Sequence, residues 1–385
     1  ESLLEGCEPH YEWPQFDENT ASSLCYTSGT TGNPKGVLYG HRSTVLHSWC
    51  ASSADGLGIR NDDSLLVIVP MFHANAWGTP YAAPMWGAKM VFPGPHLDGE
   101  SLVELIQKEG VTLSAAVPTV WLGILQYLKK SGKGLGCLER VVIGGTAAPP
   151  VMVRTLQEEY GVRVCHAWGM TEMSPLGTTG VLKKTAANLP KDEQYKLQEK
   201  QGRGLFGVEM KIVDGSGAEL PRDGVAFGNL LVRGPWIAKE YFKGEGGQIL
   251  DDDGWFDTGD VATLDSEGYM QITDRAKDVI KSGGEWIGSI ELENVAMEHD
   301  SVAECAVIGV YHPKWDERPL LVVVKEPDVE VTANELIDFY SGKIAKWWTP
   351  DDVVFIEKLP HTPTGKVLKT KLREMYAEYV LPTVS

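Results

Sequence analysis

The chain has 385 residues, of which 43% are hydrophobic, and a formal net charge of −18 at pH 7. This length accommodates two or more domains with their own cores, and the acidic charge argues against nucleic acid as a partner, because nucleic acid is bound through a basic face. No apolar run approaches the roughly 18 residues of a transmembrane helix, and no signal peptide is recognisable. Because the cysteines also stand singly in the sequence, we expect a cytoplasmic protein.

Short apolar segments alternate with helical patterns from residue 21 to about residue 170. Strands are predicted at Leu65–Pro70, Lys89–Phe92, Val111–Val117, Arg140–Ile143 and Arg163–Ala167. Helices are predicted at Leu102–Glu109, Thr119–Lys129 and Val151–Tyr160. Strands that alternate with helices indicate a layered α/β domain around a mostly parallel sheet.

The pattern changes twice further along the chain. Residues 181–200 are polar and rich in lysine, which predicts a surface excursion, and the region of about 201–273 is interpreted as a small β subdomain. It closes a large domain of residues 1–274, and residues 275–385 form a mobile α+β domain, with the hinge near Asp274–Asp278. Strands of the subdomain are predicted at Gly207–Val213, Gly228–Arg233 and Tyr269–Thr273. In the second domain we predict helices at Ser289–Glu298, Ala333–Lys346 and Lys369–Tyr379, and strands at Cys305–Val310, Leu320–Lys325 and Val353–Ile356.

The segment Tyr26–Gly36 reads Y-T-S-G-T-T-G-N-P-K-G and suits a polyphosphate, which needs accessible backbone N–H groups, hydroxyl donors and a cation. Ser22–Tyr26 is predicted to be a short buried strand and Gly36–Tyr39 another, so the segment is a strand-to-strand turn. A Walker loop is excluded, because Pro34 rather than Gly precedes Lys35 and no Ser or Thr follows it. A flexible Ser/Thr/Gly linker is the alternative, but linkers rarely separate two apolar strands.

A second motif, H-A-W-G-M-T-E at His166–Glu172, follows a predicted strand. Trp168 offers a flat face for a purine, Thr171 can donate to a phosphate, and Glu172 can hold Mg²⁺ through oxygen. Taken alone, this segment would be an ordinary loop about as often as a site.

Together with three further motifs, these segments resemble the acyl-adenylate-forming enzymes, which include acyl-CoA synthetases, luciferases and nonribosomal adenylation domains. The further motifs lie at Trp255–Asp260, Asp274–Ile287 and Thr362–Val367. Within the family, the chain resembles the fatty-acyl-CoA synthetase branch, in particular medium-chain fatty-acid and 3-(methylthio)propionate CoA ligases. In the family a long stretch precedes the phosphate loop, so we expect the large domain to be incomplete at its N-terminus.

The resemblance implies where the nucleotide binds. Trp168 corresponds to the adenine-stacking position, and Asp260 and Arg275 correspond to the ribose contacts. Thr27 and Glu172 are implied to hold Mg²⁺. The residues implied to bind the nucleotide are Thr27, Ser28, Gly29, Thr30, Thr31, Lys35, Gly145, Thr146, Ala147, His166, Ala167, Trp168, Gly169, Thr171, Asp260, Arg275 and Lys281.

The resemblance also implies the catalytic and substrate residues. Lys366 matches the mobile catalytic lysine, whose charge would stabilise the transition state at the α-phosphate, and Lys277 matches the pivot of the hinge. His73 resembles the gate between the adenylate and the thioester tunnel, although a lone histidine after a strand is more often structural. Trp77 is placed to guard the entrance to the acyl pocket. The implied CoA contacts are Gly283, Gly284, Glu285 and Trp286.

The function implied by the resemblance is ATP-dependent activation of a carboxylic acid, either a fatty acid or 3-(methylthio)propionate. ATP, Mg²⁺ and CoA take part: the acid becomes acyl-AMP, and CoA then forms the thioester after the small domain has rotated. Two alternatives stay open, namely acyl transfer to a carrier protein and a catalytically inactive nucleotide-binding fragment. The acyl chain length is open, and so is the oligomeric state, for which the resemblance implies a homodimer through the large domain.

Overall fold

Three β-sheets form the framework of the chain in its computed structural model, which describes residues 5–8, 10–27, 34–283, 285–327, 329–362 and 365–384. The first sheet is an antiparallel hairpin of β1 (Ala21–Tyr26) and β2 (Gly36–Gly40), with Tyr26 opposite Gly36. The predicted strand-to-strand turn is therefore confirmed, although residues 28–33 of the loop lie outside the described residues. β1 is more exposed than predicted, with only Cys25 buried, because a two-stranded sheet packs on the molecule with one face.

The second sheet has eleven strands in the order β10-β11-β12-β13-β9-β8-β7-β6-β5-β3-β4. Its strands are β3 (Ser64–Val67), β4 (Lys89–Val91), β5 (Leu113–Ala116), β6 (Arg140–Ile143), β7 (Arg163–Gly169), β8 (Leu176–Thr179), β9 (Gly202–Gly204), β10 (Glu209–Val213), β11 (Phe227–Arg233), β12 (Phe256–Leu264) and β13 (Tyr269–Arg275). Neighbours from β3 to β7 are parallel, and the remaining pairs are antiparallel. The predicted α/β class is confirmed.

Helices cover both faces of the parallel strands, which explains why these strands are apolar throughout. The helices of this region are α1 (His41–Ala51), α3 (Thr79–Trp86), α4 (Gly99–Glu109), α5 (Pro118–Ser131), α6 (Pro150–Glu158) and α7 (Lys191–Glu199), and α2 (Ala74–Trp77) is a single short turn. Leu66 joins the apolar cluster that contains Leu102 of α4 and Trp121 of α5, whereas its neighbours Leu65 and Val67 join the cluster on the opposite face. Successive strand side chains thus anchor helices on opposite sides of the sheet.

Two segments of this region differ from their prediction. The three β segments of the region 201–273 do not form a sheet of their own, because β9 pairs with β8 on one side and with β13 on the other. The polar excursion at 181–200 contains a helix, α7, which buries Tyr195 in the core of the large domain. A helix anchored by so few apolar residues shows no apolar stripe in the sequence.

The third sheet has the order β15-β14-β17-β16, and β18 pairs with β17 in parallel. Its elements are β14 (Ile280–Ser282), β15 (Glu285–Ile287), α8 (Ser289–Met297), β16 (Val302–His312), β17 (Asp316–Lys325), α9 (Ala333–Phe339), β18 (Asp352–Phe355) and α10 (Lys369–Met375). α9 is shorter than predicted, and the chain turns after it at Gly342, whose φ is 76°. Within the described residues, no helix combines the length and apolarity needed to cross a membrane.

The chain passes from the large sheet to the small one between Arg275, the last residue of β13, and Ile280, the first residue of β14. The predicted hinge near Asp274–Asp278 falls in this connection. The division into domains at residues 274 and 275 stays a prediction, but no backbone pairing of the described strands joins the two sheets.

Candidate active site

A cavity of about 430 Å³ lies at the end of β7 and is lined by residues from both sides of the connection. A second cavity of about 270 Å³ adjoins it and shares Gly145, Trp168, Arg275 and Lys366 among its lining residues. The predicted site residues that line one or both cavities are Thr27, Lys35, His73, Trp77, Gly145, Thr146, Ala147, Ala167, Trp168, Gly169, Thr171, Glu172, Asp260, Arg275, Lys277 and Lys366. The fold therefore brings together most of the predicted site, from segments that lie far apart in the sequence.

Asp260 forms the centre of a buried polar cluster. Its Oδ2 accepts a hydrogen bond from Nε1 of Trp168 over 2.9 Å, and its Oδ1 lies 2.8 Å from Nε of Arg275. Asp260 and Arg275 face each other across the antiparallel pair of β12 and β13, which explains the ion pair. Burial raises the pKa of Asp260, and the neighbouring Arg275 charge opposes that rise. The arrangement leaves a carboxylate with further acceptor capacity at the cavity wall.

Lys366 reaches the same cavities from the small domain. A β-carbon built at Gly145, where φ is 86°, would lie 3.7 Å from Cε of Lys366, so the lysine side chain passes closely over this glycine. Burial and the nearby Arg275 lower the pKa of Lys366 to about 8, although Asp260 and Glu172 act in the opposite direction. The lysine is therefore a cation whose charge is lost at moderately alkaline pH.

The base of the phosphate loop is closed by two reciprocal hydrogen bonds. The backbone N–H of Thr27 donates to the carbonyl of Lys35 over 2.9 Å, and the N–H of Lys35 donates to Oγ1 of Thr27 over 3.0 Å. Nζ of Lys35 lies 4.7 Å from the centroid of the Tyr241 ring, a cation–π distance. Ser28, Gly29, Thr30 and Thr31 lie outside the described residues.

Tyr241 is a site residue that the sequence reasoning missed. Its hydroxyl donates to Oε1 of Glu172 over 2.6 Å, and both side chains are nearly inaccessible to solvent. A second buried tyrosine, Tyr39, donates from its hydroxyl to the carbonyl of Thr171 over 2.6 Å. These two bonds fix the Thr171–Met173 turn that follows β7. Neither tyrosine lies in a motif, so the sequence offers no signal for either contact beyond the aromatic residue itself.

His73 and Trp77 lie at the two ends of a short backbone turn and both line the larger cavity. Burial and the charge of Lys366 lower the pKa of His73 to about 4, so its ring is neutral at neutral pH. The ring of Trp77 packs on a glycine: a β-carbon built at Gly144 would lie 3.2 Å from Cη2 of Trp77. A β-carbon built at Gly145 would lie 3.8 Å from Cζ2 of Trp77 and 3.7 Å from Cε of Lys366, so the aromatic side of the cavity lies beside the lysine.

His166, whose role in binding the nucleotide stays a prediction, does not belong to the lining of either cavity. Its Nε2 accepts from the backbone N–H of Ala148 over 3.3 Å, so Nδ1 carries the proton and donates to the carbonyl of Glu199 over 3.0 Å. Burial lowers the pKa of His166 to about 4. Both ring nitrogens are therefore engaged, Nε2 with the backbone at Ala148 and Nδ1 with the end of α7.

The predicted CoA contacts lie on the β14–β15 hairpin, away from both cavities. Gly283 has a φ of 62° and donates its N–H to the carbonyl of Trp315 over 2.8 Å. The ring of Trp286 is 40% exposed and its centroid lies 6.0 Å from that of Phe227. Lys281 belongs to the same hairpin and is exposed. Gly284 lies outside the described residues, and of Glu285 the structure describes the backbone alone.

The chain matches the family model of AMP-binding enzymes over residues 3–242 and that of the AMP-binding enzyme C-terminal domain over residues 291–366. It belongs to the AMP-binding enzyme family. Two relatives narrow the class. The chain is 58% identical to a 3-methylmercaptopropionyl-CoA ligase of Ruegeria lacuscaerulensis, over 98% of this chain and 70% of that protein. It is 52% identical to a medium-chain-fatty-acid–CoA ligase of Ectopseudomonas oleovorans, over 100% of this chain and 70% of that protein.

Solved structures agree with this class. The anthranilate CoA ligase AuaEII in complex with anthranoyl-AMP has a TM-score of 0.85 at 26% identity, over 96% of this chain and 70% of that one. O-succinylbenzoate CoA synthetase from Bacillus subtilis, in complex with ATP and a magnesium ion, has a TM-score of 0.80 at 27% identity, over 97% and 74%. The predicted class of AMP-forming acyl-CoA synthetases is confirmed.

Proposed function

We propose that the chain converts a carboxylic acid, ATP and CoA into an acyl-CoA thioester, AMP and pyrophosphate by way of an acyl-adenylate. The observation that carries this proposal is that Lys366 of the small domain faces the same cavity wall as the buried Asp260–Arg275 pair. A carboxylate acceptor for ribose hydroxyls and a movable cation for phosphate charge thereby meet at one place, next to the phosphate loop.

In the first step, a carboxylate oxygen of the acid attacks the α-phosphorus of ATP, and the bond from that phosphorus to pyrophosphate breaks. Lys366 stabilises the negative charge that develops on the phosphate oxygens, which is the kind of interaction that lowers a barrier most effectively. Trp168 stacks on adenine, and Asp260 accepts hydrogen bonds from the ribose. The hydroxyl of Thr27 and the charge of Lys35 bind the departing phosphates.

Mg²⁺ suits the residues at the end of β7. Because Oε1 of Glu172 already accepts from Tyr241, Oε2 is the oxygen that remains for a cation, and carboxylate oxygen is a preferred ligand of this ion. We propose that Glu172 and Thr27 hold Mg²⁺, which neutralises phosphate charge when it is bound. The Bacillus subtilis relative was solved in complex with ATP and a magnesium ion, which supports the participation of Mg²⁺.

In the second step, the sulfur of the CoA thiol attacks the acyl carbonyl and forms a carbon–sulfur bond. The bond from the acyl carbon to the phosphate oxygen breaks, AMP departs with that oxygen, and the thiol proton is released. The exposed position of the β14–β15 hairpin, outside both cavities, supports a rotation of the small domain about Lys277 between the two steps. Such a rotation withdraws Lys366 and presents Lys281 and the Gly283–Trp286 face to CoA, as in other hinge-type changes.

We propose that the acid is a fatty acid of medium length or 3-(methylthio)propionate. Both classes occur in the names of the two relatives to which the chain is 58% and 52% identical. His73 and Trp77 form the aromatic side of the cavity that would receive it. One or two side chains decide the preferred chain length, since each methylene contributes about 1–3 kcal/mol to discrimination.

The alternative of acyl transfer to a carrier protein has no specific observation in its favour. An inactive fragment is disfavoured, because each predicted catalytic position that the structure describes has a functional side chain at the cavity. A cytoplasmic location is supported by the free thiols of Cys25, Cys50, Cys137, Cys165 and Cys305. A homodimer stays a prediction, which light scattering of the purified chain would test.

The experiment that tests the proposed function is ATP–pyrophosphate exchange with a panel of acids from propionate to palmitate, including 3-(methylthio)propionate. CoA is then added, and the thioester is detected by mass spectrometry. Exchange followed by thioester formation supports the proposal and identifies the acid. A chain that binds ATP but exchanges pyrophosphate with none of the acids would be the inactive fragment.

A further inference from the structure

The turn α2, between His73 and Gly78, has a left-handed backbone. Its four residues have φ values of 43° at Ala74, 51° at Asn75, 50° at Ala76 and 57° at Trp77. L-residues avoid this region because the β-carbon approaches the carbonyl oxygen, and only asparagine among these residue types enters it readily. A left-handed turn of this length persists only where surrounding contacts hold it.

The side chain of Asn75 supplies such contacts to the phosphate-loop hairpin. Its Nδ2 donates to Oγ of Ser23 over 2.7 Å, and its Oδ1 accepts from Sγ of Cys25 over 3.3 Å. Ser23 and Cys25 are two residues apart on β1, so their side chains lie on the same face of the strand. Ala74 and Ala76, on either side, are buried to 1% exposure. The turn is thus tied to β1 at its second residue and packed at its first and third.

The handedness of this turn decides where two cavity residues point. His73 directly precedes the turn and Trp77 ends it, and both line the larger cavity. A relaxed, right-handed turn would rotate the Trp77 side chain off the surface of Gly144 on which it packs. The position of the Trp77 ring in the cavity therefore depends on the contacts that keep the backbone left-handed.

We propose that Asn75 is a positioning residue for acid selectivity: its carboxamide, bound to Ser23 and Cys25, keeps the 74–77 turn left-handed and so fixes Trp77 in the cavity. This inference rests on the proposed function, because it takes the Trp77 side of the cavity as the place of the acyl chain. Asn75 itself does not line the cavity, and its effect passes through Trp77.

The test compares Asn75→Ala, which removes both hydrogen bonds, with Ser23→Ala, which removes one and leaves the turn unaltered in sequence. Asn19→Ala is the matched control, because its carboxamide donates to nearby Asp17 on the exposed surface. Two measurements are made: kcat/KM for octanoate relative to butyrate, and hydrogen exchange of the amides at 74–78.

The proposal predicts that Asn75→Ala changes the ratio of the two acids by roughly fivefold or more, while KM for ATP changes less than about twofold. Ser23→Ala gives a smaller change in the same direction, exchange at 74–78 becomes faster in both, and Asn19→Ala behaves as wild type. If Asn75→Ala does not fold, Ser23→Ala alone decides.

Two results would overturn the proposal. Unchanged exchange at 74–78 would show that Asn75 does not hold the turn. Faster exchange with an unchanged acid ratio would show that the turn does not set selectivity. A wild-type chain that activates none of the acids would instead refute the proposed function, and the selectivity role with it. Hydrogen exchange at 74–78 would still report whether Asn75 holds the turn.

Discussion

The hydroxyl of Tyr241 donates a hydrogen bond of 2.6 Å to Oε1 of Glu172, and the ring of the same tyrosine lies beneath Nζ of Lys35 at 4.7 Å. One side chain thus contacts both the residue proposed to hold Mg²⁺ and the cation proposed to bind the phosphates. Because Glu172 and Tyr241 are both buried, the bond orients the carboxylate in a site that water does not readily rearrange.

Removing only this hydroxyl is predicted to weaken the use of MgATP. Tyr241→Phe keeps the ring beneath Lys35 but leaves Glu172 without its donor, and hydrogen bonds to charged groups contribute about 1.5–3 kcal/mol. We expect the Mg²⁺ concentration for half-maximal pyrophosphate exchange to rise roughly tenfold. Tyr340→Phe is the control, since it removes another buried hydroxyl, 2.7 Å from the carbonyl of Leu292 in the small domain. Equal Mg²⁺ dependence in the two variants would contradict the positioning of Glu172 by Tyr241.

The protonation of Lys366 is predicted to set the alkaline limit of adenylation. A lysine is charged below its pKa, and burial lowers that pKa from 10.5 to about 8, so the stabilising charge is lost as pH rises through about 8. Because kcat/KM reports the free enzyme, kcat/KM for ATP should fall above that pH. Lys366→Arg should move the fall to higher pH, since arginine stays charged.

Lys366→Ala is predicted to slow adenylation by roughly two to three orders of magnitude. Thioester formation from a supplied acyl-adenylate should be much less affected, because the lysine acts in the first step. Lys371→Ala, on the exposed face of α10, is the control. An alkaline limb that stays near pH 8 in Lys366→Arg would assign the titration to another group.

Arg318 is predicted to support the CoA step selectively. Its guanidinium pairs with Asp351 at 2.7 Å and donates to Oγ of Ser282 over 3.2 Å, and it also donates to the carbonyls of Trp347 and Thr349. Ser282 belongs to the hairpin proposed to meet CoA, so the contacts fix that hairpin on β17.

Arg318→Lys keeps the charge but loses the planar fork of donors. We expect KM for CoA to rise roughly five- to tenfold, while ATP–pyrophosphate exchange stays near wild type. Arg222→Lys is the control, because Arg222 also donates to a backbone carbonyl but lies in the connection between β10 and β11 of the large sheet. A parallel loss of both half-reactions in Arg318→Lys would point to general destabilisation instead.

His47 is predicted to make the fold sensitive to acid. Its Nε2 accepts from the backbone N–H of Leu176 over 3.0 Å, and burial lowers its pKa from 6.5 to about 3. At a pH between these two pKa values, the imidazole of His47 is protonated in the unfolded chain but not in the folded chain. Stability therefore falls as pH falls below about 6.5, by up to about 1.4 kcal/mol per pH unit.

The variant His47→Gln can still accept the hydrogen bond but does not titrate. Urea unfolding at about pH 7 and about pH 5 should show a smaller loss of stability in the variant than in wild type. His166, whose pKa is lowered to about 4, adds to the acid sensitivity that remains. An identical loss in both proteins would show that His47 is not responsible.

The sequence predicted the parts of the site that are contiguous motifs. The β1–β2 turn, the Trp168–Glu172 segment and Asp260 could each be found, because a motif keeps its spacing whatever the fold around it. The pairing of Asp260 with Arg275 follows from a strand register that their separate motifs do not reveal.

Contacts between distant segments could not be predicted. Tyr241 meets Glu172 from a loop 69 residues away, and the nitrogens of His166 are occupied by Ala148 and by Glu199, at separations of 18 and 33 residues. The left-handed turn at Asn75 was equally hidden, since alanine and tryptophan give no signal for such a backbone. A residue inside a motif can thus lie outside the lining of the cavities, and one outside every motif can line them.

The measurement that tests the central claim most directly uses an acid labelled with oxygen-18 in its carboxylate. The labelled acid, ATP and CoA are incubated with the enzyme, and AMP and pyrophosphate are analysed by mass spectrometry. If a carboxylate oxygen attacks the α-phosphorus, AMP carries one labelled oxygen and pyrophosphate carries none. A label in pyrophosphate or in inorganic phosphate, or thioester formation with unlabelled AMP, would contradict an acyl-adenylate intermediate.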